Sequence, residues 1–184
     1  VKRLLDRGDA RALERATELV QRMRQLAPKH VASFEYTVRL ADKLGKQEAA
    51  RAELLRAVPD VSKIQELSEQ QSQMLIMLAE LLVELDDLDS AERIYRDVAA
   101  KNPNKIPALA NFLGTHRSVE QCFQKLNEVY SPERIAALLQ VGLVVVRKQR
   151  EKVGDKFDPQ LQQWLDSGLR ENPDSINLLI DQAD

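Results

Sequence analysis

One cysteine and two histidines are the side chains with the strongest intrinsic capacity for chemistry in this 184-residue chain. Cys122 lies six residues after His116, a spacing that would allow a thiol and an imidazole to meet across a turn. Nucleophilic catalysis also needs a group that orients the base and donors for an oxyanion. No residue pattern around either position supplies them, so Cys122 reads as a small core residue. His30 follows Pro28-Lys29 and reads as part of an exposed turn. The acidic run Asp86-Asp87-Leu88-Asp89 would attract a cation, but it lacks the glycine and closing glutamate of a calcium loop. It reads instead as a turn, with Asp89 capping the helix that follows. A Gly-rich phosphate loop, an HExxH pair and a GxSxG elbow are all missing from the sequence. The expectation is therefore a non-enzyme with no cofactor and no metal.

The elements that would carry these residues are helices. Hydrophobic residues make up 43% of the chain and aromatics 4%, so a core must be built from Leu, Ala, Val and Ile. Six glycines and seven prolines are few for a fold of many tight turns. Apolar residues recur at helical spacing over 10–27, 31–44 and 47–58, with Pro28, Gly45 and Pro59 as stops. Residues 59–71 are polar, with isolated Val61, Ile64 and Leu67, and read as an inserted turn in which Ser62 or Ser68 caps the next helix. Helices are then expected over 73–85 and 90–100. A two-turn helix from Pro107 is expected to break at Gly114-Thr115, with Ser118 capping its successor. Ser131-Pro132-Glu133 opens a strong helix carrying Leu138, Val141, Gly142 and Val145. Asp158-Pro159 opens another, and Ile176 to Ala183 one more.

Net charge is −2, which favours no polyanion, yet the charge is banded. Residues 1–58 hold thirteen Lys and Arg against eight Asp and Glu, and 59–100 hold three against ten. Residues 101–156 hold ten against five, and 157–184 one against six. Aromatic side chains are not interleaved with the basic run Arg147–Lys152, which argues against stacking on nucleic acid. A single cysteine excludes an intrachain disulfide and fits a reducing compartment such as the cytoplasm. The longest apolar run, Val141–Val146, is far too short to span a bilayer. The chain begins at Val1 in mid-pattern, and the expectation is a segment of something longer.

One stretch is more specific. Leu75-x2-Leu78-Ala79-x2-Leu82 is followed by Ala91-x3-Tyr95 and then Pro103. With these residues the chain resembles the tetratricopeptide repeat family. A looser copy has Phe34, Gly45, Ala50, Leu54 and Ala57 at the matching places, with Thr37, Val38 and Ala41 departing from the pattern. Asn102-Pro103-Asn104 and Asn172-Pro173-Asp174 repeat the closing signature. The resemblance implies an all-α fold: an α-solenoid of stacked antiparallel helical hairpins, winding as a right-handed superhelix. The expected single repeat domain, 1–184, divides into hairpins 31–58, 72–103, 106–130 and 132–173, with partial units at 1–28 and 175–184.

The resemblance further implies a protein-interaction scaffold whose concave groove, lined by the first helix of each hairpin, takes a peptide or partner protein. By helical geometry the groove positions are Glu35, Arg39 and Asp42, then Ile76, Glu80 and Val83, then Leu139, Leu143 and Val146. The competing reading for the last three is burial against a neighbouring helix. For Glu35 and Arg39 it is a surface i,i+4 pair. Self-association through unsatisfied end faces, or a nucleic-acid-associated regulatory role, are the alternative functions.

Overall fold

Helix ends in this protein are set by local chemistry that the sequence displays openly. The computed structural model describes residues 1–28, 30–129, 131 and 134–171. The first helix, α1, is short (Lys2–Arg7), and Asp9 then caps α2 (Ala10–Leu26) by accepting from the Ala12 N–H at 2.9 Å. Helix α3 (Val31–Leu44) stops at Gly45, whose φ of 65° is the left-handed conformation that L side chains rarely adopt. Helix α4 (Gln47–Ala57) ends before Pro59, and a single 3-10 turn follows at Val61–Lys63. Ser68 then opens α5 (Glu69–Glu84) with a complete capping box. Its hydroxyl accepts from Gln71 N–H at 3.2 Å, and Gln71 Oε1 accepts from Ser68 N–H at 2.9 Å. The inserted turn read at 59–71 is thus a 3-10 turn, an irregular stretch over 64–68 and the first residues of α5, pinned to the core by buried Val61 and Leu67.

Helix α6 (Leu88–Lys101) corrects one expectation: Asp87, not Asp89, supplies the cap, accepting from Ser90 N–H at 3.2 Å. Asn102 caps a 3-10 turn at Pro103–Lys105, which leads into α7 (Ile106–His116). The expected break at Gly114-Thr115 does not occur, and α7 runs through both residues. The reason is tertiary: Gly114 is buried under a neighbouring helix. Ser118 caps α8 (Val119–Glu128) as anticipated, and α9 (Ile135–Val153) and α10 (Asp158–Glu171) follow. Val144-Val145-Val146 is helical. The expected helix at 176–183 and the second closing signature lie outside the described residues. Strand is absent among the described residues.

The chain forms two compact units, Val1–Lys101 and Asn102–Asp184. Within the first, each helix packs on its sequence neighbour, and α1, α3 and α5 also pack side by side as one row. That is the arrangement of stacked antiparallel hairpins, all-α throughout. Leu75, Leu78, Ala79 and Leu82 of α5 are fully buried, as are Ala91 and Val98 of α6, so the best-formed motif is the centre of the core. In the second unit α7 and α8 pair, α9 packs on both, and α10 packs on α9. Its core gathers Phe123, Phe157 and Trp164. The Phe123 ring stacks on Phe157 at 4.4 Å and on Trp164 at 5.5 Å between centroids. Two glycines let helices of this unit approach closely. A Cβ at Gly142 would stand 2.8 Å from Leu161 Cδ2, and one at Gly114 would stand 2.9 Å from Cys122 Cβ.

Candidate partner-binding face

The row of odd-numbered helices in the first unit presents a face whose polar residues follow from spacing alone. On α3, Glu35, Arg39 and Asp42 fall at i, i+4 and i+7. On α5, Ile76, Glu80 and Val83 do the same. Glu35 and Arg39 form an ion pair at 2.7 Å, with both side chains more than a third exposed. A pair in that setting adds only a few tenths of a kcal/mol. Asp42 is exposed, and Ile76 and Val83 are half-buried. Glu80 is exposed and sits near enough to α6 that its charge acts on Tyr95. Burial first, and Glu80 second, push the Tyr95 hydroxyl up to about 12.

Arg39 and Asp42 meet in a cleft of about 550 Å³ built where α1, α3 and α5 converge. Buried Leu5, Val38 and Leu85 form its floor. Its rim is charged: Lys2 and Asp6 from α1, Arg39, Asp42 and Lys43 from α3, and Glu84 from α5. Three cations thus face three anions. Lys2, Asp6, Lys43 and Glu84 form no ion pair among the described residues. Sequence reasoning missed these four. Glu84 had a signal, because it continues the Glu80 face by one turn. Lys2 and Asp6 belong to a helix of six residues, too short to show a period.

In the second unit most of the face assigned to a partner is taken by the chain's own core, which corrects two site assignments, Leu139 and Val146. Leu139 and Val146 are 1% and 3% exposed. Leu143 is partly buried against the same cluster. Helix α9 is packed by α7, α8 and α10, so its apolar surface is covered on several sides. Val144 is the large apolar side chain of α9 that stays exposed.

The residues weighed for chemistry have other work. Cys122 is fully buried, and burial pushes its thiol up to about 12, the opposite of activation. His116 packs over Phe112, with ring centroids 5.1 Å apart. Burial, then the charges of Lys148 and Arg117, lower its pKa. In the acidic run, Asp87 is a cap and lies 3.4 Å from Arg51 Nε. In the basic run, Arg150 is committed to Asp155 and Asp158. Among the described residues, no group of His, Cys, Asp and Glu is arranged to hold a metal ion, and no helix is long and apolar enough to cross a membrane.

No family model matches the chain, and no curated protein matches it in sequence. Among solved structures the chain is similar to the crystal structure of YrrB, described as a TPR protein with an unusual peptide-binding site. The identity is 14% and the TM-score 0.46, over 94% of this chain and 84% of that one.

Proposed function

We propose that the first unit is a protein-interaction module that takes a peptide segment of a partner across the α1–α3–α5 face. The observation that carries this reading is the cleft where the three helices converge. It has an apolar floor and a rim of mixed charges, of which Lys2, Asp6, Lys43 and Glu84 form no ion pair among the described residues. Stacked helices hold such a face rigid, so the partner bears most of the ordering cost. Alternating rim charges set orientation and register more than raw affinity. Glu35, Arg39, Asp42 and Glu84 are the residues assigned to partner contact, with Ile76, Glu80 and Val83 continuing the face along α5.

A library of short displayed peptides selected on the whole chain tests this. Selected peptides are expected to lose about ten-fold in affinity for the Arg39→Glu/Glu84→Lys chain. If no selected peptide senses that pair of substitutions, the reading fails. Light scattering over a concentration series addresses self-association in parallel, since a growing mass would make a second copy the occupant of this face.

A further inference from the structure

A second cleft in the first unit shares no lining residue with the one above. It has a volume of about 710 Å³ and lies between the start of α3, the end of α4, the 58–68 connection and the start of α5. Phe34, Ala57, Ile64 and Met74 are among its apolar walls. Volumes of this order accept several side chains or a small ligand. The cleft exists because of the insertion: buried Val61 and Leu67 anchor the connection and hold Ile64 over the gap.

Two features say what would fill it. The first is charge. Arg24 and Arg56 line the cleft against a single carboxylate, Glu53. Glu53 is already bound to Arg24 at 2.6 Å. Arg56 is exposed and has no hydrogen-bond or ion-pair partner among the described residues. The rim therefore offers one uncommitted guanidinium beside an apolar cavity, a setting that favours a carboxylate next to a large apolar group. The second feature is continuity. Pro28 lines the cleft, and the side chains flanking that turn, Leu26 and Val31, are 77% and 46% exposed. Val31 stands one turn before Phe34 on α3. Pro28 thus extends the lining of the cleft onto the α2–α3 turn, whose flanking apolar side chains are open to solvent, a setting that suits a chain of residues better than one compact molecule.

We propose that this cleft is a separate docking site for an acidic amphipathic peptide. The peptide places a large apolar side chain against Phe34, Ala57, Ile64 and Met74, and an Asp or Glu on Arg56. The proposal is independent of the α1–α3–α5 face. The test selects a displayed peptide library on the whole chain, synthesises the winners and measures their affinity by fluorescence anisotropy. Expected is a class of peptides that pair a large apolar residue with an acid. This class would weaken about ten-fold on Arg56→Glu, lose binding when Ala57→Trp fills the cleft, and ignore Arg39→Glu/Glu84→Lys. Arg56 is exposed, so its substitution leaves the fold intact, and a circular-dichroism melt checks both variants. No peptide sensitive to Arg56→Glu would overturn the proposal. So would a sensitive class that is basic, or one that lacks the apolar residue.

Discussion

Gly114 on α7 lies directly against Val145 on α9. A Cβ added to Gly114 would stand 2.8 Å from Val145 Cγ2 and closer still to Val145 Cγ1. Both residues are buried, and Val145 is fully so. Gly114→Ala gains up to about 1 kcal/mol in helix propensity. It also forces the packed Val145 side chain and Cys122 Cβ to shift, which costs about 1–3 kcal/mol. Because these contacts fall under 3.0 Å, overpacking outweighs the propensity gain, and the second unit is expected to lose up to about 2 kcal/mol. Trp164, the only tryptophan, sits in the same core, so its fluorescence through urea unfolding reads the change. An unchanged or raised midpoint would show that α9 can yield freely.

The same glycine shows where sequence reading ends. A Gly-Thr pair inside a short helical run is a break signal by propensity, and only the approach of α9 reverses it. Leu139 and Val146 illustrate the related limit. Their period places them on one helix face, but periodicity cannot say whether a partner or α10 covers it. Features set by near neighbours were legible. Ser68 (one of two candidates with Ser62), Ser118 and Gly45 mark helix ends through contacts within a few residues, and each of these three marks is present in the structure. The charged cleft was half legible, since Arg39 and Asp42 follow from α3, whereas Lys2 and Asp6 arrive from a helix too brief to announce itself. The apolar cleft was hidden, because isolated Ile64 in a polar run carries no period.

Arg51 joins α4 to the end of α5. Its Nη2 donates to the Leu85 carbonyl at 2.9 Å and its Nη1 to Glu48 at 2.8 Å, while Nε lies 3.4 Å from Asp87 without hydrogen-bond alignment. Leu85 is the C-cap of α5, where a cation meets unsatisfied carbonyls. Arg51→Met keeps the stem but removes these bonds, and the expected loss is about 1–2 kcal/mol. Arg51→Lys keeps the charge without the fork and should fall between. Circular dichroism at rising urea gives the ranking, and equal midpoints for all three chains would refute the bridging role.

Cys122 makes a prediction about reactivity. A fully buried thiol held near pKa 12 has almost no thiolate at neutral pH. A disulfide reagent is expected to leave it untouched in the native chain and to modify it quickly in denaturant. Rapid labelling of the folded chain would mean that the α7–α8–α9 core opens readily.

Arg150 and Asp158 fasten the end of α9 to the start of α10. Nη1 donates to Oδ1 at 2.6 Å and Nη2 to Oδ2 at 2.9 Å, a bidentate geometry, while Nη2 also reaches Asp155 at 2.7 Å. The hydrogen bond from Arg150, and secondarily its charge, hold the Asp158 carboxyl below its ordinary 3.8. A carboxyl depressed in the folded state contributes stability that is fully present above the unfolded value. That contribution drains away as pH falls through the folded one. Both side chains are largely exposed, so the contribution is small and shrinks as salt rises. In Arg150→Gln, carboxyl NMR is expected to show Asp158 titrating closer to 3.8. The stability gap between the two chains should be widest near neutral pH and should close in acid. An Asp158 titration that does not move in the variant would assign the depression to the start of α10 rather than to Arg150.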